Sequence, residues 1–350
     1  MYLSGCSSDP VRENRRVAAL VANFSRSPLQ RNRLGESDAE LVRIPGTDLL
    51  LAITTDAVVE EIEMGLYRNP YLIGWMTVVV SASDLAAVGA DPLGILLNQT
   101  LPTGLAPGFE DDMQRGIRDA CAACGLPPLG GDVNESDRLH VASTAVGTVP
   151  AGEAMMRSGT RPGDHLFLTG RAGLGNAFAL QVLTRVPEVA RVPYRPVARL
   201  QEGLLLRRFA SACMDTSDGV VATLDELMRR SRFGLQLEPT SLRILHPEAR
   251  KLARKSGIPT FAFLAGPHGE FELIFSIPPG RLSEFRTAAD AAGISILELG
   301  VARQEPGLQL ADQESGAWPD TAGIRNLSPR EAEDLDLYLS HLVALADPAI

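Results

Sequence analysis

The stretch LLLAITTDAV, residues 49–58, opens as an unbroken apolar run and closes on Thr54, Thr55 and Asp56. A run this short, bounded by polar residues, reads as a buried strand whose last side chains place oxygen atoms where the strand stops. Downstream the pattern changes period. Tyr71 to Val88 reads as a largely buried helix closed by Gly89, and Gly94 to Thr100 and Leu139 to Val149 as further strands, with a helix from Phe109 to Cys124 between them. Strands and helices alternating in this way predict an α/β (α+β) fold.

The turn-rich AGEAMMRSGTRPGD, residues 151–164, marks a boundary, and a second α/β half opens with the strand HLFLTG at residues 165–170. The glycine-rich GRAGLGNAF that follows leads into a helix from Asn176. Gly173 and Gly175 suggest a dinucleotide fingerprint, but Phe178 stands at the third glycine position and no acidic strand end follows at the right distance, so a tight strand-to-helix turn is the better reading. Val220 to Arg230 forms an amphipathic helix with Val220, Leu224, Leu227 and Met228 on one face. Near the end, Ser328, Pro329 and Glu331 supply an N-cap, an N1 proline and a capping-box acid for a helix striped by Leu335, Tyr338, Leu339 and Leu342. The expected division is residues 1–153, 154–326 and a helical extension, 327–350.

The 350 residues are 45% hydrophobic and 22% charged, a globular composition long enough for two domains. The greasiest stretch, Tyr71 to Val80, runs into Ser81, Ser83 and Asp84, short of the roughly 20 residues a membrane span needs. The N-terminus carries no apolar core with a cleavage site, so a cytoplasmic protein without a membrane partner is expected. Cys121 and Cys124 form a lone CxxC inside a helix, without a second pair or histidines at ligand spacing, and read as packed, reduced thiols. The net charge of −10 argues against nucleic acid as a partner. It also means that any polyphosphate bound here needs metal ions to mediate.

The chemistry lies in aspartates placed where secondary structure stops: Asp38 in GESDAEL, Asp56 in ITTDAV, Asp84 in SASDLAAVGADP, Asp132 in LGGDVNES, and Asp215 and Asp218 in MDTSDGV. Each has a plain structural alternative, Asp218 as a helix N-cap, Asp132 as a turn residue and Asp84 as the cap of a helix bend. Together they suggest magnesium, which bridges carboxylates to substrate phosphates while keeping several waters. Several acidic loops converging on one polyphosphate would clamp its β- and γ-phosphates. No Walker loop and no protein-kinase catalytic-loop signature occurs.

The segments ITTDAVVE, SASDLAAVGADP, GGD, RSGTRPGDHLFLTG, MDTSDG and GEFELIF resemble, in the same order, the successive motifs of the thiamine-monophosphate kinases, relatives of aminoimidazole-ribonucleotide (AIR) synthase with the PurM-like fold. The resemblance spans roughly residues 35–300. It implies two α/β domains, with N-terminal domains pairing into a β-barrel in a homodimer, and ATP with magnesium in a cleft lined by the acidic loops. Carried over, it implies magnesium ligands at Asp38, Thr54, Thr55, Asp56, Asp84, Asp132, Asp215 and Asp218, and nucleotide contacts at Gly131, Asp132, Arg157 and Ser217. Asp84, Asp132 and Asp218 stand as the catalytic set, acting through the metal, and Arg157 would fork onto phosphate oxygens.

The match departs from the family at three places. The paired aspartates of the first motif become Ser37 and Asp38. The histidine expected after the TTD strand is replaced by Glu63. Gly-Glu-Asp-Tyr-Glu-Leu becomes His268, Gly269, Glu270, Phe271, Glu272 and Leu273, so that Gly269 stands for the first glutamate and Phe271 for the tyrosine. Glu63, Gly269 and Phe271 are the positions the resemblance places at the acceptor. A histidine there offers a proton or a positive charge to an acceptor phosphate, whereas Glu63 repels it. Both changes point from a cationic thiazolium bearing a phosphate toward a neutral or amine-bearing small molecule. The expected activity is phosphoryl transfer from ATP to such an acceptor. The alternatives are an amide-activating synthase like AIR synthase and a nucleotide-binding subunit without turnover.

Overall fold

The computed structural model describes residues 12–184, 192–237, 241–305 and 307–310, together with Ser340. The first sheet contains β1 (Glu40–Arg43), β2 (Leu49–Ala57), β3 (Asp91–Pro102), β4 (Pro128–Ser136) and β5 (His140–Pro150), in the order β1-β2-β5-β3-β4. In β2, Leu50, Ala52 and Thr54 are buried while Thr55, Asp56 and Ala57 are exposed. The strand is therefore half-buried with period two, not the fully buried run its apolar start predicts, because an antiparallel sheet covers its core face and leaves the other open.

β1 and β4 are strands the sequence does not announce, and β4 is the longer. Its residues, PLGGDVNES, include few strand formers, and all but the last are exposed at the sheet edge. It runs parallel to β3. Parallel neighbours need a crossover, and α4 (Phe109–Cys124) supplies it with the predicted bounds. Gly131 and Asp132 consequently lie within an edge strand and not in a turn. The thiols of Cys121 and Cys124 are free and buried, and burial pushes Cys121 up to about 11, which keeps it protonated.

Three further helices precede α4: α1 (Arg12–Val21), α2 (Val59–Glu63) and α3 (Pro70–Ala87). Asn69 caps α3, its side chain accepting from the backbone of Leu72 at 3.3 Å, and Pro70 takes the first turn, where a missing N–H costs nothing. By length and composition α3 could cross a membrane, contrary to the reading of its apolar run as too short. In this fold, however, it is the core helix, and 83% of that apolar window is buried inside the protein. Gly74 and Gly116 let α3 and α4 pack backbone to backbone: a Cβ on Gly74 would overlap the carbonyl of Met113, and one on Gly116 that of Tyr71.

The second sheet takes β6 (His165–Leu168), β7 (Ala212–Asp215), β8 (Gly234–Leu237), β9 (Leu273–Ile277), β10 (Leu297–Arg303) and β11 (Gly307–Leu310), in the order β11-β8-β10-β6-β9-β7. Around it lie α5 (Leu174–Thr184), α6 (Leu200–Leu206) and α7 (Val220–Ser231), the last burying Val220, Leu224, Leu227 and Met228 as its pattern predicts. α3 touches both sheets, packing on β2 and β5 and also on α6 and β7. Gly203 of α6 lies so close that a Cβ there would overlap the carbonyl of Ala86. The end of α3 also packs against β7, which brings Asp84 beside Asp215. The predicted helix from Ser328 to Leu342 lies outside the described residues, apart from Ser340.

Candidate active site

Between Leu72 and Ala87 every residue of α3 is buried except Asp84. Thr77, Ser81 and Asp84 share one face, at helical spacing. Ser81 Oγ lies 2.7 Å from Ser143 Oγ, and the Ser143 hydroxyl donates to the carbonyl of Thr77 at 2.5 Å. On β2, the Thr54 hydroxyl donates to Asp84 Oδ2. Ser83, next to Asp84, donates to Asp215 Oδ2 at 2.6 Å and so ties α3 to the end of β7. The Ser217 hydroxyl donates to the other oxygen of Asp215 at 2.9 Å.

Asp38 enters from the loop before β1. Arg157, after β5, donates through Nη2 to Asp38 Oδ1 at 3.0 Å, and its backbone N–H donates to the carbonyl of Glu36 at 2.8 Å. Asp38 Oδ2 is buried and has no hydrogen-bond partner among the described residues. Asp38, Asp84 and Asp215 can each offer one oxygen so that all three lie within 4.8 Å of one another.

Such a cluster is electrostatically unstable when bare. Burial, then the charges of Asp215, Asp38 and Asp56, push Asp84 well above the usual carboxylate range, and the Thr54 hydroxyl opposes this only in part. Burial and then Asp38 push Asp215 up to about 6. A hard divalent cation relieves both effects, since it takes carboxylate, hydroxyl and water oxygens together. The all-oxygen donor set and the orphaned Asp38 oxygen fit magnesium.

Known proteins share this frame. The family described as AIR synthase related protein, N-terminal domain, matches residues 36–149. The thiamine-monophosphate kinase of Archaeoglobus fulgidus is 31% identical over 247 residues, 69% of this chain and 78% of that one. The chain belongs to the thiamine-monophosphate kinase family. The enzyme of Halobacterium salinarum is 32% identical over 243 residues, covering 68% of this chain and 80% of its own. Among solved structures, AaThiL complexed with AMPPCP and TMP superposes with a TM-score of 0.70 at 22% identity, covering 87% of this chain and 94% of that one, a likeness of fold.

The candidate residues from the sequence divide in two. Asp38, Thr54, Asp84, Arg157, Asp215 and Ser217 meet within one cluster, and Asp56 is near enough for its charge to raise Asp84. Thr55 is turned to the exposed face, donating to the carbonyl of Ser143 at 3.0 Å. Asp218 is exposed and is not the N-cap of α7; that place belongs to Gly219, at φ +86°, which no side chain caps. Gly131 and Asp132 are not part of the cluster. Sheet order sets β5 and β3 between β2 and β4, three strand spacings or roughly 14 Å. Asp132 there accepts from Asn134 Nδ2 at 2.7 Å.

The acceptor-side positions separate as well. Glu63 ends α2 on the surface, 3.5 Å from Arg138. Phe271 is buried in the core at φ +59°, a strained conformation for a bulky residue, so its ring is not offered to a ligand. Gly269 lies against the loop after β7, its N–H donating to the carbonyl of Ser217 at 3.0 Å. Its carbonyl accepts from the Tyr194 hydroxyl at 2.7 Å. Sequence reasoning missed Ser83 and Tyr194. Ser83 adjoins Asp84 and was within reach of inspection, but Tyr194 carries no local signal.

Glu270 settles the glycine-rich loop. Its carboxylate accepts from the backbone N–H of Gly175 at 2.9 Å, with Gly173 and Leu174 also directed at it, and so fills the N-terminus of α5. An internal carboxyl group occupies the place a dinucleotide phosphate would take, which supports the tight-turn reading. Burial pushes this carboxyl up to about 8 against those hydrogen bonds. A raised folded-state value means stability is full below the ordinary 4.5 and is lost as pH rises through about 8. Glu270→Gln keeps an acceptor oxygen and cannot ionise. Its melting temperature is expected to stay flatter than wild type's from pH 5 to pH 9, and parallel curves would contradict the assignment.

Proposed function

We propose that the protein is an ATP- and magnesium-dependent phosphotransferase of the thiamine-monophosphate kinase type. The observation that carries this is the meeting of Asp38, Asp84 and Asp215, from three separated segments, around a buried carboxylate oxygen that no group among the described residues satisfies. Magnesium held by these aspartates with Thr54 would supply charge neutralisation on the nucleotide's phosphates. The chain's own groups do the remaining work. Ser83 and Ser217 fix Asp215, Thr54 fixes Asp84 and Arg157 fixes Asp38, so the carboxylates are aligned before any ligand arrives. An acceptor oxygen then forms a bond to the γ-phosphorus as the bond to the bridging oxygen breaks, and ADP leaves. An anionic phosphate acceptor needs no proton removed; a hydroxyl acceptor gives its proton to solvent.

A homodimer belongs to this reading. Leu96, Leu129 and Val133, on the edge pair β3 and β4, are 42%, 56% and 65% exposed, an apolar surface that a second copy would cover. Asp132, on the same edge strand, would then act from the subunit interface and not from the three-aspartate cluster. Light scattering is expected to give twice the 37.5 kDa chain mass for wild type and the single-chain mass for Val133→Asp. A monomeric wild type at micromolar concentration would refute it.

The activity is tested by following ATP consumption with thiamine monophosphate, with mass spectrometry of the product. ADP and a stable phosphorylated acceptor are expected. With Glu63 and Gly269 in place of a histidine and a glutamate, kcat/KM for thiamine monophosphate is expected below the usual enzyme range of roughly 10⁴ M⁻¹s⁻¹. ADP with free phosphate would overturn the kinase reading, as would no consumption with thiamine monophosphate and with a panel of hydroxyl- and amine-bearing small-molecule acceptors.

A further inference from the structure

His268 is the family motif's glycine position, filled here by an imidazole. Its backbone N–H donates to Asn176 Oδ1 at 3.1 Å, and Asn176 in turn donates to the carbonyls of Phe263 and Gly266 at 2.8 and 3.0 Å. The next residue, Gly269, is bonded to Ser217 between Asp215 and Asp218. His268 is thus pinned one residue from the loop that carries two of the proposed metal ligands. Its Nε2 is buried and has no hydrogen-bond partner among the described residues.

A buried ring nitrogen without a partner costs stability, and a glycine there would not incur that cost. The molecule keeps this cost beside its site while Glu63, where the motif expects a histidine, faces solvent and Arg138. An orphaned donor or acceptor next to a binding loop is a group that a bound ligand can complete.

We propose that His268 is an acceptor-binding residue, its Nε2 hydrogen-bonding the acceptor next to the Asp215–Asp218 loop. The inference rests on the phosphotransferase reading above. It also narrows the substrate class. The surrounding burial lowers the imidazole's affinity for a proton to about 4, so the ring meets the acceptor uncharged. A neutral imidazole pairs with a hydroxyl or amine at no electrostatic cost and gives a phosphate dianion only one N–H.

The test uses the full chain with magnesium, ATP and thiamine monophosphate as the acceptor probe, in wild type, His268→Gly and His268→Gln. Loss of one neutral hydrogen bond is expected to raise KM for the probe about three- to tenfold in His268→Gly. KM for ATP should change less than twofold. Glutamine should recover part of the loss, and added imidazole, entering the space glycine leaves, should recover more. A merely structural histidine would shift both Michaelis constants or neither, and either result overturns the proposal. In parallel, NMR of ¹³C-histidine-labelled wild type, assigned against His268→Gly, should show the His268 ring signals moving when the probe is added to the magnesium–ATP complex. If magnesium–ATP binds and those signals stay fixed, the inference fails while the phosphotransferase reading stands. If magnesium–ATP does not bind, that reading fails first.

Discussion

Asp84→Asn is expected to abolish ATP turnover, by on the order of 10³-fold or more, while leaving the fold intact and the metal-free protein more stable. The two effects share one cause. Asp84 is forced close to Asp38 and Asp215 at the end of a buried helix, and without a cation the three repel. Asparagine keeps the shape, and its side-chain oxygen still accepts from Thr54, but it removes the charge that magnesium requires. Without magnesium the variant should melt slightly above wild type, about 1–2 °C for each kcal/mol in a chain of this size. Magnesium should raise the melting temperature of wild type and leave the variant's unchanged. Near-normal turnover at ordinary magnesium would remove Asp84 from the ligand set. A variant less stable than wild type in metal-free buffer would show that repulsion does not dominate the cluster.

Gly269→Glu restores the residue the family motif carries, yet it is expected to destabilise the protein by about 3 kcal/mol or more and to lose turnover with it. The segment around Gly269 is stitched to the loop after β7: Gly269 N–H to the carbonyl of Ser217 at 3.0 Å, Thr216 N–H to the carbonyl of Glu272 at 2.8 Å, and Glu272 N–H to the Thr216 hydroxyl at 3.0 Å. A Cβ at 269 would overlap the backbone oxygen of Thr216. Any side chain must therefore prise the segment away, and Asp215 and Ser217 lie on the other side of the join. Thermal melts should show a fall of about 4 °C or more, and Gly269→Ala a smaller fall in the same direction. A Gly269→Glu variant that melts with wild type and gains activity on thiamine monophosphate would mean the backbone here yields readily. The acceptor pocket would then differ from the family's only by side-chain drift.

Local signals determined much of this protein without any structure. α4 could be bounded to the residue, because its amphipathic period and closing glycine are features of one short segment. The succession β2, α3, β3, α4 and β5, the tight turn before α5 and the buried face of α7 were legible for the same reason, and the motif aspartates stood out because each sits beside its own recognisable neighbours. β4 was not legible: an edge strand draws its hydrogen bonds from a partner elsewhere in the chain, so PLGGDVNES needs no strand-forming residues. Only the tertiary structure decided which aspartates meet. Asp38, Asp84 and Asp215 converge because α3 packs on both sheets and Ser83, near its end, donates to Asp215 at the end of β7, whereas Asp132 is set apart by the two strands that the sheet order places between β2 and β4. Neither fact has a local signature, since each depends on distances between segments far apart in the chain. The same holds for the acceptor side, where Gly269 reads as a lost glutamate until the carbonyl of Thr216 shows that the backbone leaves no room for one.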